Sequence, residues 1–255
     1  MVAALGALAP IGTAHASAGG GHPAAPPSGR ITVSAASSLT AAFTAVRTRF
    51  ERRAPDATIT LNFGASSTLA TQITGGAPVD VFASADRATM RGLVAGSQVR
   101  ARPTPFARNR MEIAVKPGNP RTVTGLADLP RVTVGGVVSL CGRAVPCGIY
   151  AARALRKARV TIPETRVTRG ADATATIGAV ARGDADAAVV YASDVAAAGA
   201  AVDGVAIPAD QNVVAVYPIA PLASSANPRL AAAFIAFVVS PEGRRILARY
   251  GFRAP

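Results

Sequence analysis

"ITVSAASSLTAAFTAVRTRFERRAPDATITLNFGASS", Ile31 to Ser67, decides the fold. It opens as a short strand, ITVSAAS. Leu39, Phe43, Val46 and Phe50 then recur at the three-to-four spacing of an amphipathic helix. A second strand follows, ATITLNFGAS. Strand, helix and strand in so short a span form the unit of a parallel sheet covered by helices. The alternation continues along the chain. "TLATQI" reads as a short helix and "VDVFASAD" as a strand, while "MEIAVKP" and "VTVGGVV" read as strands. "GIYAARALRKA" and "ATATIGAVARG" read as helices and "ADAAVVYAS" as a strand. "LAAAFIAFVVSPEGRRILARYG" closes the chain as helical pieces. The pattern predicts an α/β protein without internal repeats.

The strand-to-helix junctions share one chemistry. Ser37-Ser38 follows the first strand and Gly64-Ala65-Ser66-Ser67 the second. Pro146-Cys147-Gly148 and Gly170-Ala171-Asp172-Ala173 each precede a helix. A helix start presents unpaired N–H groups and a partial positive charge. Small residues there let an anion approach the backbone closely. Taken singly, each junction reads as an ordinary N-cap. Four alike in one chain favour a shared anion site, at the carboxyl ends of the strands where open α/β sheets bind ligands. Tyr191 ends a strand and reads either as a core tyrosine or as a hydroxyl donor to that ligand. Asp80, Asp86, Asp186 and Asp194 read as caps and turn formers, because an anion site has no use for nearby carboxylates.

Composition removes most other functions. The chain has 255 residues, 50% hydrophobic and 16% charged, which is globular. The net charge of +13 raises nucleic acid as a partner. The basic residues, all arginine except Lys116 and Lys157, come singly or in pairs, and no basic run is interleaved with aromatics that stack bases. Nucleic acid is therefore not expected; a basic surface still steers small anions. His15 and His22 are the only histidines, so the folded part has no Ser-His-Asp or Cys-His centre and no His-ligated metal. No phosphate loop is present, so nucleotide hydrolysis has no support. An enzyme using Ser38 or Ser66 as nucleophile would lack a base. Neither enzymatic activity nor a cofactor is expected.

The N-terminus, "MVAALGALAPIGTAHA", is apolar and ends in Ala14-His15-Ala16, an A-x-A cleavage pattern, although no basic residue precedes Arg30. Residues 1–29 read as a signal-like segment and a flexible linker, with a disordered Ala-rich tail as the alternative; the signal reading leads to the expectation of an exported chain. No later apolar run is long enough to span a bilayer.

"ITVSAASSLTAAF", "FGASSTLATQITGGAPVDVFASAD", "VPCGIYAARAL", "GDADAAVVYASD", "VYPIAPL" and "SPEGRRILARYGF" together resemble, in order and spacing, the molybdate-binding proteins of molybdate ABC importers. The resemblance runs from Ile31 to the C-terminus. It implies a two-lobed periplasmic-binding-protein fold of type II, each lobe a mainly parallel sheet flanked by helices. Residues 30–107 plus 215–255 would form lobe 1 and 108–214 lobe 2. The hinge crossovers would fall near Ala107–Arg110 and Val214–Tyr217. The resemblance also implies a ligand set: Ser38, Ser66 and Tyr191 through hydroxyls, Cys147 and Ala173 through backbone N–H groups. Cys147 stands where the family often has Ala, and Ala173 where Val is familiar. The implied ligand is molybdate or tungstate, with another tetrahedral oxyanion such as sulfate as the alternative. No metal is expected except molybdenum inside the oxyanion. The implied partner is a membrane permease, and the expected state is a monomer.

Cys141 and Cys147 are the only cysteines. Their spacing excludes a C-x-x-C redox motif, and two ligands cannot close a tetrahedral zinc site. In an exported chain they are best read as a disulfide, with two reduced thiols as the alternative. The bridge would fix the turn that carries the Cys147 N–H.

Overall fold

The computed structural model describes residues 1–3 and 27–255. The signal-like segment and linker, with His15 and His22, lie outside the described residues except at their ends.

β1 (Gly29–Ala36), α1 (Thr40–Arg53), β2 (Ala57–Gly64), α2 (Ser66–Thr74), β3 (Val81–Ala83) and α3 (Arg87–Ala95) build the first half. β4 (Thr104–Val115) leads into α4 (Leu129–Val132), β5 (Val138–Cys141), α5 (Pro146–Lys157), β6 (Val167–Gly170), α6 (Ala173–Ala181), β7 (Ala187–Tyr191), α7 (Ala192–Ala198) and β8 (Asp203–Ala206). β9 (Val214–Pro221), α8 (Pro228–Val239) and α9 (Pro241–Arg249) end the chain. The strand order is β2-β1-β3-β9-β4-β7-β5-β6, with β8 also paired to β4.

The outer pairs, β1 with β2 and β3, and β5 with β6 and β7, are parallel. Every antiparallel pair involves β4 or β9. Ala107 to Arg110 of β4 lie opposite Tyr217 to Val214 of β9. Beyond that point β4 leaves β9, and Met111 to Val115 pair with β7. β4 is therefore shared by both halves of the sheet.

The two halves pack differently. Leu39, in the turn before α1, and Phe43, Val46 and Phe50 on its buried face all point inward, as their spacing predicts. Phe43 and Phe50 meet Phe234 of α8 edge-on, with centroids 6.2 and 5.5 Å apart. In the second half, Ile177 and Val180 of α6 pack with Ala114, Ala188 and Val190 of the sheet. The helical end of the chain is two helices because Ser240 breaks it: its hydroxyl accepts from Gly243 N–H and caps α9, and Pro241 follows at the first turn.

Val132–Val138 differs from its expectation as a strand. Pro130 sits in the first turn of the one-turn helix α4, and Gly135 takes a positive φ of 75°. The strand begins only at Val138. No described helix is long and apolar enough to cross a membrane.

Candidate ligand-binding site

The helix starts converge. Ser38 sits in the 3-10 turn Ser37–Leu39 between β1 and α1, Ser66 opens α2, Cys147 lies in the first turn of α5, and Ala173 opens α6. These four and Tyr191, at the end of β7, line one cavity of about 10 Å³, the order of a single water-sized sphere. Ser37, Pro146 and Asp172 also contribute to its wall. Among the described residues no lysine or arginine lines it.

Each wall is held from behind. Ser66 Oγ accepts from Ala85 N–H at 2.9 Å, which leaves its own proton free to turn elsewhere. Ser38 Oγ lies 2.9 Å from Tyr217 Oη. On the opposite wall, Cys147 is bonded to Cys141, the last residue of β5, with Cα atoms 5.8 Å apart. The helical ladder of α5 closes with Ile149 N–H donating to Val145 O at 3.0 Å, so the N–H groups of Cys147 and Gly148 precede it. Gly148 must be glycine, because a Cβ there would run into the Gly142 carbonyl. Asp172 caps α6 by accepting from Ala175 N–H at 2.9 Å, so its carboxylate at the cavity wall serves as the N-cap.

Tyr191 is the exceptional group. The ring is buried and its hydroxyl has no hydrogen-bond partner among the described residues. Burial, with Tyr217 as a further cause, pushes its pKa well above the usual phenol value, so it stays a neutral O–H. An unpaired hydroxyl in such a place costs about 1–3 kcal/mol, which a ligand able to accept its proton would recover. Below it Asp194 accepts from Tyr191 N–H at 3.0 Å, and burial pushes its pKa up to about 7.

Arg143 and Arg169, which flank these junctions in sequence, turn away from the cavity to Glu164. Arg169 also donates to Cys141 O at 2.9 Å. Asp80 and Asp86 act as the turn former and cap expected of them: Asp80 accepts from Thr32 and Ala226 N–H, and Asp86 from Thr89 N–H. Asp186 pairs with Lys116 and accepts from Val137 N–H.

Sequence reasoning passed over the polar residues behind Ser38. Asn109 Nδ2 donates to Ser193 Oγ at 2.7 Å and to Tyr217 Oη at 3.3 Å, all of them buried. The one available signal was a lone Asn between Arg108 and Arg110 in β4.

Two half-sheets joined through β4 and β9, with helix starts from both halves facing one cavity, define a two-lobed solute-binding protein. The family model described as "Bacterial extracellular solute-binding protein" matches residues 31–253. The chain belongs to that family, and within it to the group of molybdate-binding proteins, on the strength of both this match and its curated relatives. The molybdate-binding protein ModA of Mycobacterium tuberculosis strain H37Rv is 39% identical over 243 residues, covering 93% of this chain and 92% of the relative. The periplasmic molybdate-binding protein of Azotobacter vinelandii superposes with a TM-score of 0.77 at 20% identity, covering 88% of this chain and 99% of that one. The sulfate-binding protein SubI of Mycobacterium tuberculosis H37Rv also gives 0.77, at 21% identity, covering 88% of this chain and 86% of that one. At these identities the two structures speak for the fold alone.

Proposed function

We propose that this protein captures molybdate, and tungstate equally, between its two lobes and delivers it to the membrane permease of an ABC importer. The observation that carries the reading is the unpartnered Tyr191 hydroxyl, which shares one cavity with Ser38, Ser66, Cys147 and Ala173 and with no basic residue. Hydroxyls and backbone N–H groups in that arrangement are donors. Each hydrogen bond to a charged group contributes roughly 1.5–3 kcal/mol, so several fixed donors hold a dianion without a counter-charge. With the Asp172 carboxylate engaged as the α6 cap, a ligand set made of donors alone favours a fully deprotonated oxyanion, because hydrogen phosphate brings a proton that needs an acceptor.

The ligand set is Ser38, Ser66 and Tyr191 through hydroxyls and Cys147 and Ala173 through N–H. Lobe 1 comprises residues 30–107 and 215–255, and lobe 2 residues 108–214. The ligand enters when the lobes part about β4 and β9. The protein binds its ligand without transforming it and uses no cofactor. It works as an exported monomer, in keeping with a family described as extracellular.

Sulfate is the second reading, since a sulfate-binding protein matches the fold as well as a molybdate-binding one does. It has the same charge and shorter bonds, so cavity size alone separates the two. A thermal-shift panel on residues 30–255 tests both readings. A ligand at a thousand times its dissociation constant adds about 4 kcal/mol of stability. Molybdate and tungstate are expected to raise Tm strongly. A rise with sulfate and none with either of them overturns the molybdate reading.

A further inference from the structure

We infer that Asn109 and Tyr217, on the two hinge strands, form a one-way hydrogen-bond relay that points the Ser38 hydroxyl proton into the ligand cavity and so sets the site's preference for fully deprotonated oxyanions. The inference rests on the proposed oxyanion reading and adds residues outside its ligand set.

The direction follows from donor and acceptor counts. Asn109 Oδ1 accepts from Arg110 N–H at 3.0 Å. A flipped amide would set its NH₂ against that N–H, so Nδ2 faces Ser193 and Tyr217. An amide nitrogen only donates, so Tyr217 Oη accepts from Asn109. The Tyr217 ring is fully buried. Burial pushes its pKa far above the usual phenol value, so the oxygen keeps its single proton. The acceptor within reach of that proton is Ser38 Oγ, 2.9 Å away. Ser38 Oγ, once it accepts from Tyr217, has its own proton left for the cavity it lines.

Ser66 reaches the same state by a simpler route. Its Oγ accepts from Ala85 N–H at 2.9 Å, and a backbone amide cannot accept in return. Both serines therefore face the ligand as donors. Ser66 is set by main chain alone. Ser38 is set through two side chains that sit where the halves of the sheet join, with Asn109 opposite Ala215 and Tyr217 opposite Ala107.

Tyr217→Phe cuts the relay and leaves the Ser38 hydroxyl free to rotate and accept. Calorimetric titration of the variant and the unaltered protein with molybdate, sulfate, hydrogen phosphate and hydrogen arsenate reads the result. Molybdate affinity is expected to fall about tenfold, the loss of one oriented hydrogen bond. Hydrogen phosphate and hydrogen arsenate change about twofold or less on the same argument, so the selectivity ratio contracts at least about fivefold. Asn109→Asp goes further: its carboxylate accepts from Tyr217, which reverses the relay, and the ratio contracts more. Ser193→Ala leaves Asn109, Tyr217 and Ser38 connected and keeps the ratio. A Tyr217→Phe protein that loses affinity for all four anions in equal proportion, or only melts earlier, overturns the relay and leaves Tyr217 a packing residue. An unaltered protein that prefers sulfate removes the molybdate reading alone, and the relay is then scored on the sulfate-to-phosphate ratio. An unaltered protein that binds none of the four overturns both.

Discussion

The two walls of the cavity do the same work with different parts of the chain. The wall from residues 37–38 and 64–66 offers hydroxyls, each held from behind by a partner that donates or is arranged to donate. The wall from residues 145–147 and 172–173 offers the first turns of α5 and α6, where the proposed ligand set asks of Cys147 and Ala173 only their N–H groups. In the proposed ligand set the first wall acts through side chains. On the second the side chain is incidental, and the fixity of the backbone matters. A disulfide, a glycine with no room for a Cβ and an aspartate cap supply that fixity.

The contrast breaks most visibly under truncation of the first wall. Ser38→Ala and Ser66→Ala each remove a hydrogen bond to a charged ligand. At about 1.5–3 kcal/mol apiece, each is expected to weaken molybdate binding roughly 10- to 100-fold, and each also lowers the Tm of the free protein, because Ser66→Ala strands the Ala85 N–H and Ser38→Ala the Tyr217 hydroxyl. Calorimetric titration measures it. Retention of full affinity by both variants would remove the hydroxyls from the ligand set.

The same contrast explains what the sequence disclosed. Ser38 and Ser66 are visible because a serine in a strand-to-helix junction can be recognised by type. Leu39, Phe43, Val46 and Phe50 are visible because a helix that buries one face repeats its apolar residues at a fixed spacing. The cysteines are visible as a pair, and the structure joins them. Ala173 has no chemistry of its own, and only the resemblance to a family singled it out. β6 escaped because its residues, Val167 to Gly170, are half-buried or exposed and lack a strand's alternation. Val132–Val138 misled because apolar residues around Gly135 and Gly136 look like a strand until the turn between them is counted. Asn109 and Tyr217 are 108 residues apart. Nothing local to either announces a bond that exists only where β4 and β9 cross.

A second variant tests what holds the backbone wall. Cys141→Ala with Cys147→Ala removes the bridge while both residues keep their N–H groups. Closing so short a loop contributes about 2 kcal/mol by chain entropy, less where Pro146 already stiffens the turn. Denaturant unfolding is expected to show a loss of that order, and molybdate affinity to fall only severalfold, on the order of 1 kcal/mol. A hundredfold loss of affinity would make the bridge part of the ligand site itself. An unchanged midpoint would mean that Gly148 and the α5 turn hold the wall unaided.

The smallest expected effect is the most discriminating. Ala173→Gly deletes a side chain from the second wall as Ser38→Ala does from the first. The N–H stays, and Asp172 still caps the helix through Ala175 N–H. Glycine inside a helix costs roughly 0.5–1 kcal/mol, and less at the first position, where the turn is already bounded by its cap. Molybdate affinity is expected to stay within about twofold, under 0.5 kcal/mol. The comparison with Ser38→Ala then becomes a ratio measured on two single-residue truncations facing one cavity. If Ala173→Gly weakens binding as much as Ser38→Ala, the Ala173 methyl shapes the cavity, and the division into a side-chain wall and a backbone wall fails. If it does not, the order of N–H groups at α6, set by Asp172, is what the ligand reads there. Asp172→Ala, which removes that cap, should then cost more affinity than deleting the side chain next to it.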